Sequence, residues 1–423
     1  MATRARRRPA AACEIDAGLP GDQPLEKRSR TQTKGVTHAV APSEPGLATS
    51  SPFSQILAQP PDAHDNERYF CEYAHLYHQM DMLEDSQRTD AYRDAIVSNP
   101  GCFEGKVVLD VGAGTCILSI FAAQAGARRV FAVEATDVAK RARKIVEANG
   151  LAETITVIQG TVETAQIPCK VDVIISEWMG YFLLRESMLD SVLFARNAFL
   201  KPGGSMFPSH AALLLAPVAK VPELQKKKET YGDEMNHWSK FSKDMDSRYG
   251  VNFSCVRDDF SREQRKYYMQ TSAFVNLAPK QLIGLAKVLQ EFDLSTLNKE
   301  DLEEPSAPST VTLRLTRDGP IEGLCGYFDA FFKGSEETPT EQEVTLSTAP
   351  TSGTSTHWGQ QAFLLDPPLA ANRGDVLDCS IWLRRQPQNH RLLQFEARLK
   401  LSGPGMGGKM VVKEERVEQF FVD

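Results

Sequence analysis

The order of elements predicts an α/β fold, a doubly wound, Rossmann-like parallel sheet followed by an all-β second domain. Three observations carry this expectation. Short apolar runs alternate with helical stretches between residues 106 and 177. A glycine pair sits in the first strand-to-helix turn. Beyond about Phe207 the helical crossovers thin out, and strands separated by turns follow.

Residues 1–60 are rich in Pro, Ala, Ser, Thr and Arg and lack apolar periodicity, so they read as a disordered tail. The tail is basic, with eight Lys and Arg against five Asp and Glu. Its "RARRRP" has three readings: a nuclear import signal, a substrate for arginine modification, or a solvated basic tail. From His64 the chain becomes aromatic-rich and free of Gly and Pro, which predicts one continuous helical region to Val97. Strands are expected at Lys106–Val111, Arg129–Ala135, Thr154–Gly160 and Val171–Glu177. Helices are expected at Cys116–Gly126 and from Asp137 to Asn149-Gly150. The first folded domain then spans 61–207 and the all-β domain 208–423. A charged, helical insertion falls at about 220–260, and Gly334–Thr356 reads as a long loop.

Composition excludes several classes. The net charge is −7 over 423 residues, which leaves −10 outside the tail. Such a body attracts basic partners and repels phosphate backbones, so no direct nucleic-acid contact is expected. The eight cysteines contain no Cys-x-x-Cys pair, and neither a metal site nor a disulfide framework is expected. No apolar run reaches membrane-spanning length, and no apolar stretch follows the basic N-terminus as in a secretory signal. The nucleus and the cytoplasm are the expected compartments.

In "VLDVGAGTC", Gly112 and Gly114 let the backbone approach a ligand closely. Asp110, in the strand before them, joins them as a cofactor-binding candidate. Glu134, twenty residues after Gly114 at the end of the next strand, can accept from two ribose hydroxyls. Glu163 follows the third strand and can reach an adenine amino group. A dinucleotide site wants a third glycine near Ile117 to pack against pyrophosphate, and that glycine is absent. S-adenosylmethionine has no pyrophosphate and does not need it.

"SEWMGYFLLRESM" follows the fourth strand and carries Glu177 and Glu186 nine residues apart. A hairpin loop brings both carboxylates to one cavity. Two like charges in an apolar wall repel and lose hydration. A planar guanidinium between them relieves both costs. Clamped from one side, its positive charge is drawn to the clamped nitrogens, and the remaining terminal nitrogen becomes the nucleophile. Tyr181 and Met188 of this segment are candidates for lining the substrate site.

These motifs, with "RTDAYR" and "AGARRVFAVEA", resemble the type I protein arginine methyltransferases, most nearly their subgroup 6. The resemblance runs from about Arg68 to the C-terminus and is strongest over Tyr69–Pro208. It implies that Tyr69, Phe70 and Tyr73 lie on a helix that folds over the cofactor and lines the arginine channel. It implies that Met82 sets product geometry and that Arg88 binds the cofactor carboxylate. It matches Glu134 and Glu163 to the ribose and adenine acids, and Glu177 and Glu186 to the paired catalytic glutamates. His357, in "STHWGQQ", is implied to bond Asp85 and help disperse the proton, with Trp358 beside it at the substrate site. The resemblance further implies that the all-β domain is a β-barrel, that 220–260 is a helical dimerisation arm of a head-to-tail homodimer, and that the partners are arginine-containing protein substrates, histone tails and RNA-binding proteins among them. The sequence departs from the family at Cys116, where glycine is usual and a side chain is expected to crowd the cofactor. It departs also at Gln79 for histidine and Gly359 for lysine. An inactive partner subunit and a small-molecule methyltransferase are the rival readings. The paired acids argue against both.

Overall fold

The computed structural model describes residues 58–423 except 304, 352 and 406–408. The expected tail and its "RARRRP" lie outside the described residues.

Three helices open the described chain: α1 (Ala63–Tyr73), α2 (Leu76–Glu84) and α3 (Ser86–Val97). The continuous helix expected from the aromatic pattern is therefore broken twice, and side chains satisfy the freed backbone groups. At the first break His75 is extended, Gln79 Nε2 donates to Tyr73 O at 3.0 Å, and Arg141 donates to Ala74 O at 3.1 Å. At the second, Asp85 accepts from Arg88 N–H at 3.1 Å and caps α3. An aspartate that binds nearby backbone competes with helix continuation.

After α4 (Pro100–Phe103) comes the alternating region. It runs β1 (Val107–Val111), α5 (Ile117–Gln124), β2 (Arg129–Glu134), α6 (Val138–Ala148), β3 (Ile155–Gln159), β4 (Val171–Ser176), α7 (Leu189–Phe199) and β5 (Leu200–Phe207). The sheet order is β3-β2-β1-β4-β5 and every pair is parallel. All five residues of β1 are buried, as a strand covered on both faces requires. Order reverses at β1, so the crevice for a ligand opens at the carboxyl ends of β1, β2 and β4.

The remaining chain holds β6 (His210–Val218), α8 (Pro222–Tyr249), α9 (Arg257–Gln264), β7 (Ala273–Val275), β8 (Lys287–Asp293), α10 (Lys299–Glu303) and β9 (Ser309–Arg314). It ends with β10 (Ile321–Gly334), β11 (Pro339–Ser347), β12 (Gln360–Leu369), β13 (Val376–Gln386), β14 (Asn389–Pro404) and β15 (Met410–Val422). One barrel-like wall has the order β7-β12-β10-β6-β8 with β11 on β10, and the other has β15-β14-β13-β9. The expected loop 334–356 thus contains a strand. β11 is a mostly exposed edge, so its Thr and Glu carry no apolar alternation, and pairing with β10 makes the strand. The arm is also longer than expected. Trp238 of α8 stacks on Phe260 of α9 at 4.3 Å, and a π-helical turn continues to Gln270.

Candidate functional site

The glycine turn after β1 is left-handed at both glycines, with φ +73° at Gly112 and +53° at Gly114. A Cβ at Gly112 would stand 2.3 Å from Met188 Cε, and one at Gly114 2.7 Å from Gln79 Oε1. Those side-chain ends can move aside, so it is chiefly the left-handed backbone that favours glycine at both positions. Glu134 braces the turn from β2, accepting from Gly114 N–H at 2.9 Å and Thr136 N–H at 2.7 Å. Glu163 accepts from Ser191 Oγ at 2.6 Å. These residues, with α1 and the segment after β4, enclose a cavity of about 430 Å³.

The segment 177–188 crosses into the barrel and back under backbone strain. Phe182, Leu183, Glu186 and Ser187 have φ of +53°, +66°, +81° and +57°. Each such residue costs on the order of 1–3 kcal/mol and persists only where its surroundings hold it. Phe182 supplies part of that hold. Its ring is 2 % exposed and packs 5.2 Å from Phe363 and 5.8 Å from Phe395 in the barrel core. Burying such a ring returns about 1.5–3 kcal/mol. Gly326 makes the room, since a Cβ there would stand 2.0 Å from the Phe182 ring.

Both glutamates line the cavity. Glu177 Oε2 accepts from Arg88 Nε at 3.0 Å and Nη2 at 2.8 Å, whereas its Oε1 is buried without a hydrogen-bond partner. Burial opposes the charge on Arg88, but the facing carboxylate outweighs it and holds the guanidinium above its ordinary pKa. Glu186 Oε2 accepts from the Tyr73 hydroxyl at 2.7 Å, and its Oε1 lies 3.6 Å from Arg185 Nη1. Burial first, then the Glu186 charge, pushes both the Tyr69 and Tyr73 hydroxyls well up, so they stay protonated donors.

Of the residues singled out from sequence, Tyr69, Phe70, Tyr73, Met82, Arg88, Gly112, Gly114, Glu134, Glu163, Glu177, Glu186 and Met188 line the cavity. Five do not. Asp110 is fully buried and faces α5, accepting from Ser119 Oγ at 2.6 Å. Burial raises its carboxyl to about 7 against the Ser119 hydrogen bonds, and its side chain bonds to α5 rather than lining the cavity. Tyr181 packs edge-on against Phe274 at 5.8 Å. Trp358 is 4 % exposed and its indole donates to Met179 O at 2.8 Å, which ties the barrel to the glutamate segment. His357 Nδ1 lies 2.7 Å from Asp85 Oδ2, and the His357 N–H donates to the same oxygen at 2.8 Å. Burial alone would raise Asp85, but the His357 bonds and the Arg88 N–H hold its carboxyl below the usual range. The pair locks the α2–α3 turn, and so Arg88, to the barrel.

Cys116 does not crowd the cavity either. It has φ +68° and no exposed surface, so its thiol lies in the core. The backbone angle is why glycine suits this position. Gln79 fills the histidine position with a bond to Tyr73 O, and Gly359 is sterically required, since a Cβ would stand 2.6 Å from Val275 O. Ser191, Lys299, His390 and Arg391 also line the cavity and had no local motif. Ser191 sits early in α7, within reach of the Glu163 that pattern did reveal. His390 and Arg391 come from β14, about 200 residues beyond Glu186, where spacing carries no signal.

Residues 224–404 match the family described as "Arginine methyltransferase oligomerization subdomain", and residues 108–204 match "Methyltransferase domain". The chain is 48% identical over 332 residues to protein arginine N-methyltransferase PRMT10 of Oryza sativa subsp. japonica, covering 78% of this chain and 87% of that one. It is 34% identical over 402 residues to the probable protein arginine N-methyltransferase 6.1 of Oryza sativa subsp. indica, covering 90% and 98%. The crystal structure of Arabidopsis thaliana protein arginine methyltransferase 10 superposes with a TM-score of 0.80 at 43% identity, covering 84% of this chain and all of that one.

Proposed function

The chain belongs to the protein arginine N-methyltransferase family, and from that premise we propose that it methylates protein arginines as a type I enzyme, giving monomethyl- and asymmetric dimethylarginine. The cofactor is S-adenosylmethionine. The residues fit it: the left-handed glycine turn brings bare backbone to the cavity, and Glu134 at the end of β2 and Glu163 after β3 line the same cavity. Gly112 and Gly114 would hold its backbone-facing edge, Glu134 its ribose, Glu163 its adenine and Arg88 its carboxylate. When bound it supplies an electrophilic methyl on a sulfonium.

One observation carries the substrate reading. Glu177 lines the same cavity as Glu186, and its Oε1 is buried without a hydrogen-bond partner. A buried carboxylate oxygen without a donor costs free energy until one arrives. A guanidinium brings several donors in a fixed fork. Held by the two carboxylates, its charge concentrates on the clamped nitrogens and one terminal nitrogen is freed and aligned. Met82 and Met188 form walls that admit the monomethylated nitrogen a second time in the same orientation. The Asp85–His357 pair acts through position, keeping α3 and Arg88 in place.

The arm, α8 to Gln270, is the dimerisation element of a head-to-tail homodimer. The substrates are arginine-containing proteins, histone tails and RNA-binding proteins among them, in the nucleus or cytoplasm. Mass spectrometry of arginine-rich peptides incubated with the enzyme and labelled cofactor tests the reaction. Asymmetric dimethylarginine is expected, and symmetric dimethylarginine overturns the type I reading. Light scattering on the chain lacking 220–260 tests the arm: a monomer of little activity is expected, and a fully active monomer refutes it.

A further inference from the structure

Helix α1 roofs the cavity with Tyr69, Phe70 and Tyr73, which are only half-buried, and none of its eleven residues is fully buried. An isolated helix this short is marginal in water. A segment with few buried contacts opens at low free energy. What holds it down is therefore a small set of contacts: its C-terminal end is tied by Tyr73 to Glu186, by Gln79 and by Arg141, and the rest of it is tied down by contacts to the β13–β14 hairpin.

Arg391 is their centre. Its guanidinium lies 4.0 Å from the Tyr69 ring centroid and 5.7 Å from that of Phe70, and its Nη2 donates to Asn66 Oδ1 at 2.8 Å. Beside it, Asn389 Nδ2 donates to Asp65. The chain before α1 is stitched to the same hairpin, with Gln59 N–H donating to Pro387 O at 2.9 Å and His390 N–H to Gln59 O at 2.8 Å. The backbone of the same arginine holds the strained catalytic segment, since Glu186 N–H donates to Arg391 O at 2.8 Å. The Ser187 hydroxyl donates to His390 O next to it.

We propose that Arg391 is a positioning residue, a barrel-borne latch whose side chain clamps α1 over the cavity while its main chain sets Glu186. Roof closure and Glu186 placement are then one event, completed by the Tyr73 hydroxyl on Glu186. The barrel thereby controls how long cofactor is retained. This rests on the cavity being the cofactor site.

The test uses the full chain with S-adenosylhomocysteine as probe. Two quantities are measured, its release rate and the hydrogen exchange of residues 63–73 with the probe bound. Arg391→Ala removes both the ring contact and the Asn66 bond, and release is expected to accelerate roughly ten- to hundred-fold. Protection of 63–73 is lost, while the thermal unfolding of the free protein hardly moves because α1 buries little. Arg391→Lys keeps a cation for Tyr69 without the fork for Asn66 and falls between. Asn66→Ala, on the helix side of the same bond, gives a smaller loss in the same direction and serves if Arg391→Ala does not fold. Wild-type release and wild-type protection of 63–73 in these variants overturn the latch. Protection lost with release unchanged overturns the link to retention. If the wild type itself does not bind the probe, it is the cavity assignment that fails.

Discussion

Neutralising the two glutamates one at a time should produce two different phenotypes, because the structure gives them unlike partners. Glu177 and Arg88 form a close pair with side chains 12% and 9% exposed. Stripping a buried charge of its partner costs about 3–5 kcal/mol. In Glu177→Gln the amide oxygen still accepts one bond from Arg88, so a loss of about 2 kcal/mol is expected. Arg88 also loses its anchor, so cofactor binding weakens with it. Glu186 is held by a tyrosine hydroxyl that a glutamine oxygen satisfies equally, and the neighbouring Arg185 is 3.6 Å away and 26% exposed. Glu186→Gln should therefore cost less than about 1 kcal/mol. Both variants remove one of two charges from the guanidinium, and kcat should fall roughly 10²–10³-fold in each. The double variant should turn over little worse than the poorer single one, since the two act as a unit. Thermal unfolding, cofactor calorimetry and methyl transfer to an arginine peptide separate these effects. Folded Glu186→Gln working at near wild-type rate would refute the clamp. Glu177→Gln with wild-type unfolding temperature and cofactor affinity would refute the dependence of Arg88 on it.

Glu134→Ala should weaken S-adenosylmethionine binding by roughly 1–3 kcal/mol in calorimetry, because the ribose acid is lost and the Gly114 and Thr136 amides lose their acceptor. Unchanged affinity removes Glu134 from the site. Cys116→Gly relieves a left-handed residue worth about 1–2 kcal/mol but empties a packed position, so stability should change little. Cofactor affinity should stay level or tighten, and a large loss would show that the thiol has a positive role. Asp85 has a folded pKa below its ordinary 3.8, so its stabilising effect is full above that value and is lost as pH falls through the lower folded one. Wild type and Asp85→Asn should accordingly differ in unfolding temperature near neutrality and converge in strong acid. A gap that persists unchanged below the folded pKa refutes this account.

Sequence by itself determined the parts whose signal is local. Buried parallel strands read as apolar runs, so β1 to β4 were placed within a residue or two. The glycine pair was legible because a tight strand-to-helix turn with left-handed residues favours glycine. The paired glutamates were legible because like charges in an apolar segment need a reason. Tertiary structure decided what depends on distant partners. The second break in helix 64–97 falls at Asp85, which caps α3 and is also held by His357, 272 residues away. β11 exists because β10 offers it an edge, and its own polar pattern does not ask for it. Whether Asp110, Trp358 or Cys116 faces ligand or core turns on which side of a strand or turn each side chain leaves, which spacing does not encode. Arg391 meets α1 and Glu186 only because the barrel returns the chain to the cavity. Contacts of that range leave no period in the sequence, since nothing at either end is constrained until the fold closes.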